Sequence, residues 1–135
     1  TLVFAPFRVS VGVIAGHLEA KGLRVGAVTG ATSQTDRNRT FDQVQAGTLD
    51  AVVAVPTTMS HGLTLTTATT EVWGAPPFSF ETYEQGIARI FRKGQERKTA
   101  IFRLTYTALT NMLWRRIDER ASLQDTILRL MEESK

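Results

Sequence analysis

Short apolar runs alternate along this chain with longer segments of helical period, and that alternation leaves few folds open. "TLVFAPF", "LRVGAVTG" and "DAVVAVPTT" are apolar almost without interruption. A half-exposed strand would alternate apolar and polar residues, whereas an unbroken run belongs to a strand buried on both faces. Between the runs lie two helical segments. Val11 to Lys21 puts Val11, Ile14, Ala15 and Leu18 on one face and ends at Gly22. In "SQTDRNRTFDQVQAG", Ser33 and Asp36 have capping-box spacing, Phe41 and Val44 supply the apolar face, and Gly47 closes the helix. Further along, the pattern predicts a strand around "EVWGA", a turn at "PPFSF", a helix from Glu81 to Lys93 and a strand in "KTAIFRLTY". The remainder reads as helix, as two helices meeting near Ala121 and Ser122. The expected fold class is α/β: a parallel sheet sandwiched by helices through right-handed crossovers, with a helical C-terminal tail.

Length and composition bound the organisation. At 135 residues and 42% hydrophobic, the chain has the size of one domain with its own core. We expect a single domain over 1–135, with a core lobe at 1–106 and a helical extension at 107–135. There is no cysteine, hence no disulfide framework and no thiolate metal site. The apolar runs fall far short of the ~18 residues a membrane span requires, so the expectation is a soluble, cytoplasmic protein with no membrane partner. The chain begins at Thr1 directly in an apolar run, an odd start for an independent protein, so we expect a piece of a longer polypeptide.

The net charge of +3 permits an anionic partner without requiring one, but its distribution is informative. Arg89, Arg92, Lys93, Arg97 and Lys98 crowd one short stretch against a single acid, Glu96. In "YEQGIARIFRKGQ" a helix would place Gln85, Arg89 and Arg92 on one polar ridge, suited to an anion, while Ile87, Ile90 and Phe91 turn elsewhere. A second stretch, "TTMSHGLTLTTAT", packs Thr57, Thr58, Ser60, Thr64, Thr66 and Thr67 around His61 and Gly62 after a strand. Ligands of open α/β sheets sit at the carboxyl ends of the strands, which places this loop on the working edge. Gly62 allows close backbone approach, and hydroxyls with amides bind phosphate oxygens. The plainer reading is a polar loop whose Ser and Thr only cap a helix. His17 and His61 fall in different elements, so no metal site is expected. Trp73 and Trp114 stand among apolar neighbours and read as core.

These motifs together resemble the second RecA-like lobe of superfamily-two helicases and translocases, of the Swi/Snf-type branch and its phage-like relatives. The pattern Q-x-x-x-R-x-x-R-x-G-Q is met by Gln85, Arg89, Arg92, Gly94 and Gln95. "SHGLTLT" is similar to that family's G-x-G-L-N-L motif, with Gly62, Leu63 and Leu65 in register, Thr64 where asparagine is usual and His61 before the glycine. "LVFAPF" and "VTGATSQTDRNRTFDQVQAG" resemble the segments preceding it, so the likeness covers about Thr1 to Tyr106.

The resemblance implies the second motor lobe of an ATP-dependent DNA helicase or translocase. Arg92 would be the arginine finger, and Arg89 would hold the γ-phosphate or the lobe interface. Gln85 and Gly62 would complete the nucleotide side. Arg8, Thr29, Gly30, Ser60, His61 and Thr64 would grip DNA backbone phosphates, with duplex DNA the expected partner. The sequence contains no G-x-x-x-x-G-K-[ST] and no paired acidic motif, so ATP with Mg²⁺ would be held by an N-terminal RecA-like lobe lying before Thr1. This chain alone would then be inactive. The alternative is a non-catalytic RecA-like module that binds nucleic acid or a partner.

Overall fold

The computed structural model describes residues 1–59, 67–77, 79–91 and 95–134. Five strands, β1 (Leu2–Phe4), β2 (Val25–Val28), β3 (Ala51–Ala54), β4 (Thr70–Trp73) and β5 (Ala100–Arg103), form one sheet in the order β2-β3-β1-β4-β5. Every pairing is parallel, with Val3 opposite both Val53 and Val72, and Trp73 opposite both Phe4 and Arg103. Two of the three apolar runs became the interior strands β1 and β3, which are buried along their whole length, whereas the third, "LRVGAVTG", became β2 at the sheet edge, where Ala27 is exposed and only Val28 is fully buried.

Side-chain alternation splits the core into two layers. Leu2, Phe4, Val52, Ala54, Val28 and Trp73 point to one face, where Phe41 of α2 (Gln34–Gln45), Tyr83 of α3 (Phe80–Ile87) and Trp114 and Ile117 of α4 (Ala108–Glu133) cover them. Val3, Ala5 and Val53 point to the other, against Val11 and Ala15 of α1 (Arg8–Ala20). The ends of these helices follow the sequence signals. Ser33 Oγ accepts the Asp36 amide at 3.1 Å, and Gly22 and Gly47 take the left-handed conformation, with φ of 86° and 75°, that L-residues avoid.

Two expectations change. The tail is one continuous helix rather than two: neither glycine nor proline interrupts it, and the Thr126 hydroxyl donates back to the Ser122 carbonyl at 3.0 Å. Its first half is also part of the lobe, because Trp114 and Ile117 enter the main core. Secondly, α3 stops at Ile87, six residues short of Lys93.

The larger core layer is organised by stacked aromatic rings. Trp73 lies 4.4 Å from Phe4, 5.0 Å from Tyr83 and 6.3 Å from Trp114, centroid to centroid, the last edge-on. Arg103 closes the stack: its guanidinium lies 4.5 Å over Trp114, donates to the Tyr83 hydroxyl and pairs with Asp118 at 2.8 Å. Helix α3 reaches Trp73 only because residue 86 is glycine, since a β-carbon there would stand 2.5 Å from Trp73 Cζ2. Gly86→Ala is therefore expected to destabilise the fold by about 1–3 kcal/mol through overpacking, although alanine is the better helix former. Urea unfolding measures the change.

Candidate functional site

The carboxyl edge of the sheet gathers the loops after β1, β2, β3 and β4. Arg8 is exposed at the first position of α1, directly after the β1 loop. Thr29 and Gly30 follow β2, and Thr29 is engaged locally: its amide donates to Thr32 Oγ1 at 2.9 Å, and its own hydroxyl accepts the Ala31 amide at 3.2 Å. After β3 the chain enters a 3₁₀ turn, Pro56–Met59, fixed by the Thr58 hydroxyl donating to the Val55 carbonyl at 2.6 Å. Ser60, His61, Gly62 and Thr64 lie beyond that turn, outside the described residues, as does Arg92.

A residue that the sequence reading passed over stands where the chain leaves β2 and β3 at this edge. Arg37, on α2, reaches back so that Nη2 approaches the carbonyls of Thr29 and Thr32 at 3.5 and 3.4 Å, and Nη1 approaches that of Thr58 at 3.5 Å. These are long contacts to neutral acceptors. Its Nε has no hydrogen-bond partner, and no carboxylate pairs with it, among the described residues. A guanidinium held between two strand ends with its charge uncompensated is a ready phosphate ligand. In the sequence Arg37 is one of several charges on a polar helix, and only the convergence of β2 and β3 sets it apart.

The basic motif is arranged differently from a helical ridge. Gln85 is exposed on α3, but Arg89 falls in the tight turn after the helix and is only 3% exposed. The helix ends there because Ile90 turns fully into the core and its carbonyl is capped by Gln95 Nε2 at 3.2 Å. The same Nε2 donates to the Ala68 carbonyl at 3.1 Å, so the last glutamine of the motif fastens the turn to the start of β4.

Beside Arg89 lies a buried ionisable group that the sequence reading missed. Glu71, on β4, is fully buried, and its Oε1 accepts the Trp73 indole Nε1 at 2.6 Å. Burial pushes its carboxyl up to about 8, against the opposing effects of the Trp73 bond and of the Arg89 charge. Arg89 and the Glu71 carboxyl are thus electrostatically coupled within the lobe.

Among the described residues no group of three or more His, Cys, Asp or Glu could hold a metal ion. Nor is any described helix long and apolar enough to cross a membrane.

The sheet order, the crossovers and the edge loops define a RecA-like fold, and comparison with known proteins agrees. The helicase conserved C-terminal domain matches residues 1–94, and the chain belongs to that family. It is 27% identical over 108 residues to Protein CHROMATIN REMODELING 24 of Arabidopsis thaliana, covering 79% of this chain and 10% of that protein. Among solved structures, the C-terminal part of the Fun30 ATPase domain superposes with a TM-score of 0.76 at 17% identity, covering 84% of this chain and 38% of that one. S. cerevisiae Dbp5 bound to RNA and ADP BeF3 gives 0.74 at 19% identity, covering 87% and 31%. The chain therefore spans about a tenth of that curated relative and roughly a third of these solved chains.

The Glu71 carboxyl yields a stability test with a defined sign. Its value rises from 4.5 to about 8 on folding, so the folded state holds a proton that the unfolded chain releases. Stability is then fully present below about pH 4.5 and lost as pH climbs towards 8. Glu71→Gln cannot ionise and is expected to flatten the decline in Tm between pH 5 and 8, as scanning calorimetry at stepped pH would show.

Proposed function

We propose that this chain is the second motor lobe of an ATP-dependent DNA helicase or translocase of the Swi/Snf-type branch and its phage-like relatives. What carries the reading is the complete Gln85-Arg89-Arg92-Gly94-Gln95 pattern inside a chain of the helicase C-terminal family. The likeness to a chromatin-remodelling protein supports the branch. ATP with Mg²⁺ would be held chiefly by an N-terminal RecA-like lobe of the same polypeptide, inside the cell. This lobe would supply cationic groups and part of the grip on nucleic acid, and alone it would not turn over ATP.

In this reading Arg92 is the finger. Charge accumulates on the outer oxygens of a phosphoryl group during transfer, and a guanidinium fork donates two hydrogen bonds there without ever deprotonating. Arg89, buried beside Glu71, orients the segment that presents Arg92 and meets the γ-phosphate side of the lobe interface as the lobes close. Gln85 and Gly62 complete the nucleotide side.

Arg8, Thr29, Gly30, Ser60, His61 and Thr64, joined by Arg37, contact backbone phosphates of duplex DNA, which gives affinity without reading sequence. Closing and opening against the other lobe would move the pair along the strand. The alternative is a RecA-like module that binds nucleic acid or a partner without turnover. Retention of both motif arginines favours the motor, since simple binding has no use for a finger.

Arg92→Ala in the intact protein is expected to leave DNA affinity within about twofold while cutting DNA-stimulated ATP hydrolysis by roughly 10³-fold or more. Steady-state phosphate release beside DNA titration measures both. Turnover above a tenth of the parent rate would remove Arg92 from the finger role.

A further inference from the structure

At the same carboxyl edge, a cavity of about 320 Å³ opens among the loops after β1, β3 and β4 and the start of α4. That volume is at the small end of ligand pockets. We infer that it seats one unpaired nucleobase of a bound nucleic-acid strand, a subsite that rests on the helicase form of the reading above, in which a strand at this edge is unpaired, and adds a contact to the base itself.

The walls have the chemistry of a stacking site. Pro6, Pro56, Pro76 and Pro77, the only prolines in the chain, form much of the lining. Proline has no N–H, so these walls present flat apolar rings with no amide donors to leave unsatisfied.

Two large rings complete the lining. Phe7 and Tyr106 are 60% and 65% exposed, far more than core packing would allow. Each is presented by a rigid helix start. Phe7 occupies the N-cap of α1 without making a capping bond, and Tyr106 precedes the Thr107–Thr110 capping box of α4, its amide donating to Thr110 Oγ1 at 3.3 Å. Exposed aromatic rings lining a concave apolar cavity are costly in water and stack any base by its π-face. Two hydroxyls, Thr57 Oγ1 and Tyr106 Oη, stand unbonded among the described residues and can meet the polar edge of such a ring.

Position selects a nucleic acid over a peptide. The 3₁₀ turn Pro56–Met59 is shared: Pro56 and Thr57 line the cavity, while the Thr58 carbonyl holds Arg37. One turn of 3₁₀ helix rises about 6 Å, the scale of a single nucleotide. A guanidinium with no carboxylate partner among the described residues and an apolar slot for a base therefore share one turn. An apolar side chain from a protein would fill the slot but leave Arg37 without its anion.

The test compares three ligands for the intact protein, without nucleotide, by fluorescence anisotropy: a single-stranded oligonucleotide, the same backbone with abasic sites throughout, and a fully paired duplex. The parent is expected to bind the base-bearing strand roughly tenfold more tightly than the abasic one. The double variant Phe7→Ala/Tyr106→Ala should bind the two single strands alike, with its duplex affinity and its slope of log affinity on log salt unchanged. Arg37→Ala should weaken all three and reduce that slope by about one. Equal binding of base-bearing and abasic strands by the parent would overturn the base seat while leaving the phosphate grip in place. So would discrimination that survives in the double variant. Failure to bind any of the three would remove the nucleic-acid reading and the seat together.

Discussion

Trp73 is the residue on which the rest of the lobe depends. It ends β4 fully buried, touches Phe4 of the central strand, Tyr83 of α3 and Trp114 of α4, and leaves at residue 86 no room for a β-carbon. Its indole N–H needs a partner in that apolar setting, and Glu71 provides one two residues earlier on the same face. The requirement places a carboxyl deep in the core, and that carboxyl in turn acts on Arg89. Packing and electrostatics of the basic motif are thus linked through one side chain. Among the described residues, Arg89 and Ile90 are buried in the turn after α3, and Gln95 bridges the Ile90 carbonyl to that of Ala68, just before β4.

The fold was legible in the sequence where local signals and global burial agree. Two of the three unbroken apolar runs became interior strands, and Ser33 and Gly47 mark the ends of α2 by chemistry that acts within a few residues. Trp73 and Trp114 read as core from their neighbours and are core. What the sequence hid depends on distant partners. The early end of α3 requires the Gln95 side chain to cap the Ile90 carbonyl, which helical periodicity does not encode. The burial of Glu71 follows from Trp73 and the neighbouring strand, since an acid in a strand ordinarily marks a solvated face. Strand order, too, is a property of the whole sheet.

The candidate site divides in the same way. The family motif nominates Gln85, Arg89 and Arg92, whose roles stand as proposals, while Arg37 became visible only where the ends of β2 and β3 converge on it. Its guanidinium and the cavity lined by Phe7 and Tyr106 flank one short turn. The basic motif enters from a different direction, through α3 and the turn that follows it. In the proposed motor the carboxyl edge would hold a nucleic-acid backbone, while the segment after α3 would offer arginine to a neighbouring lobe.

The most direct test of the motor assignment is ATP hydrolysis by the intact protein with and without duplex DNA, beside the 135-residue chain alone. Hydrolysis that rises strongly with DNA in the intact protein, and is missing from the isolated chain, is the expected result. An intact protein that binds DNA but hydrolyses no ATP would contradict the motor assignment and leave a binding module in its place.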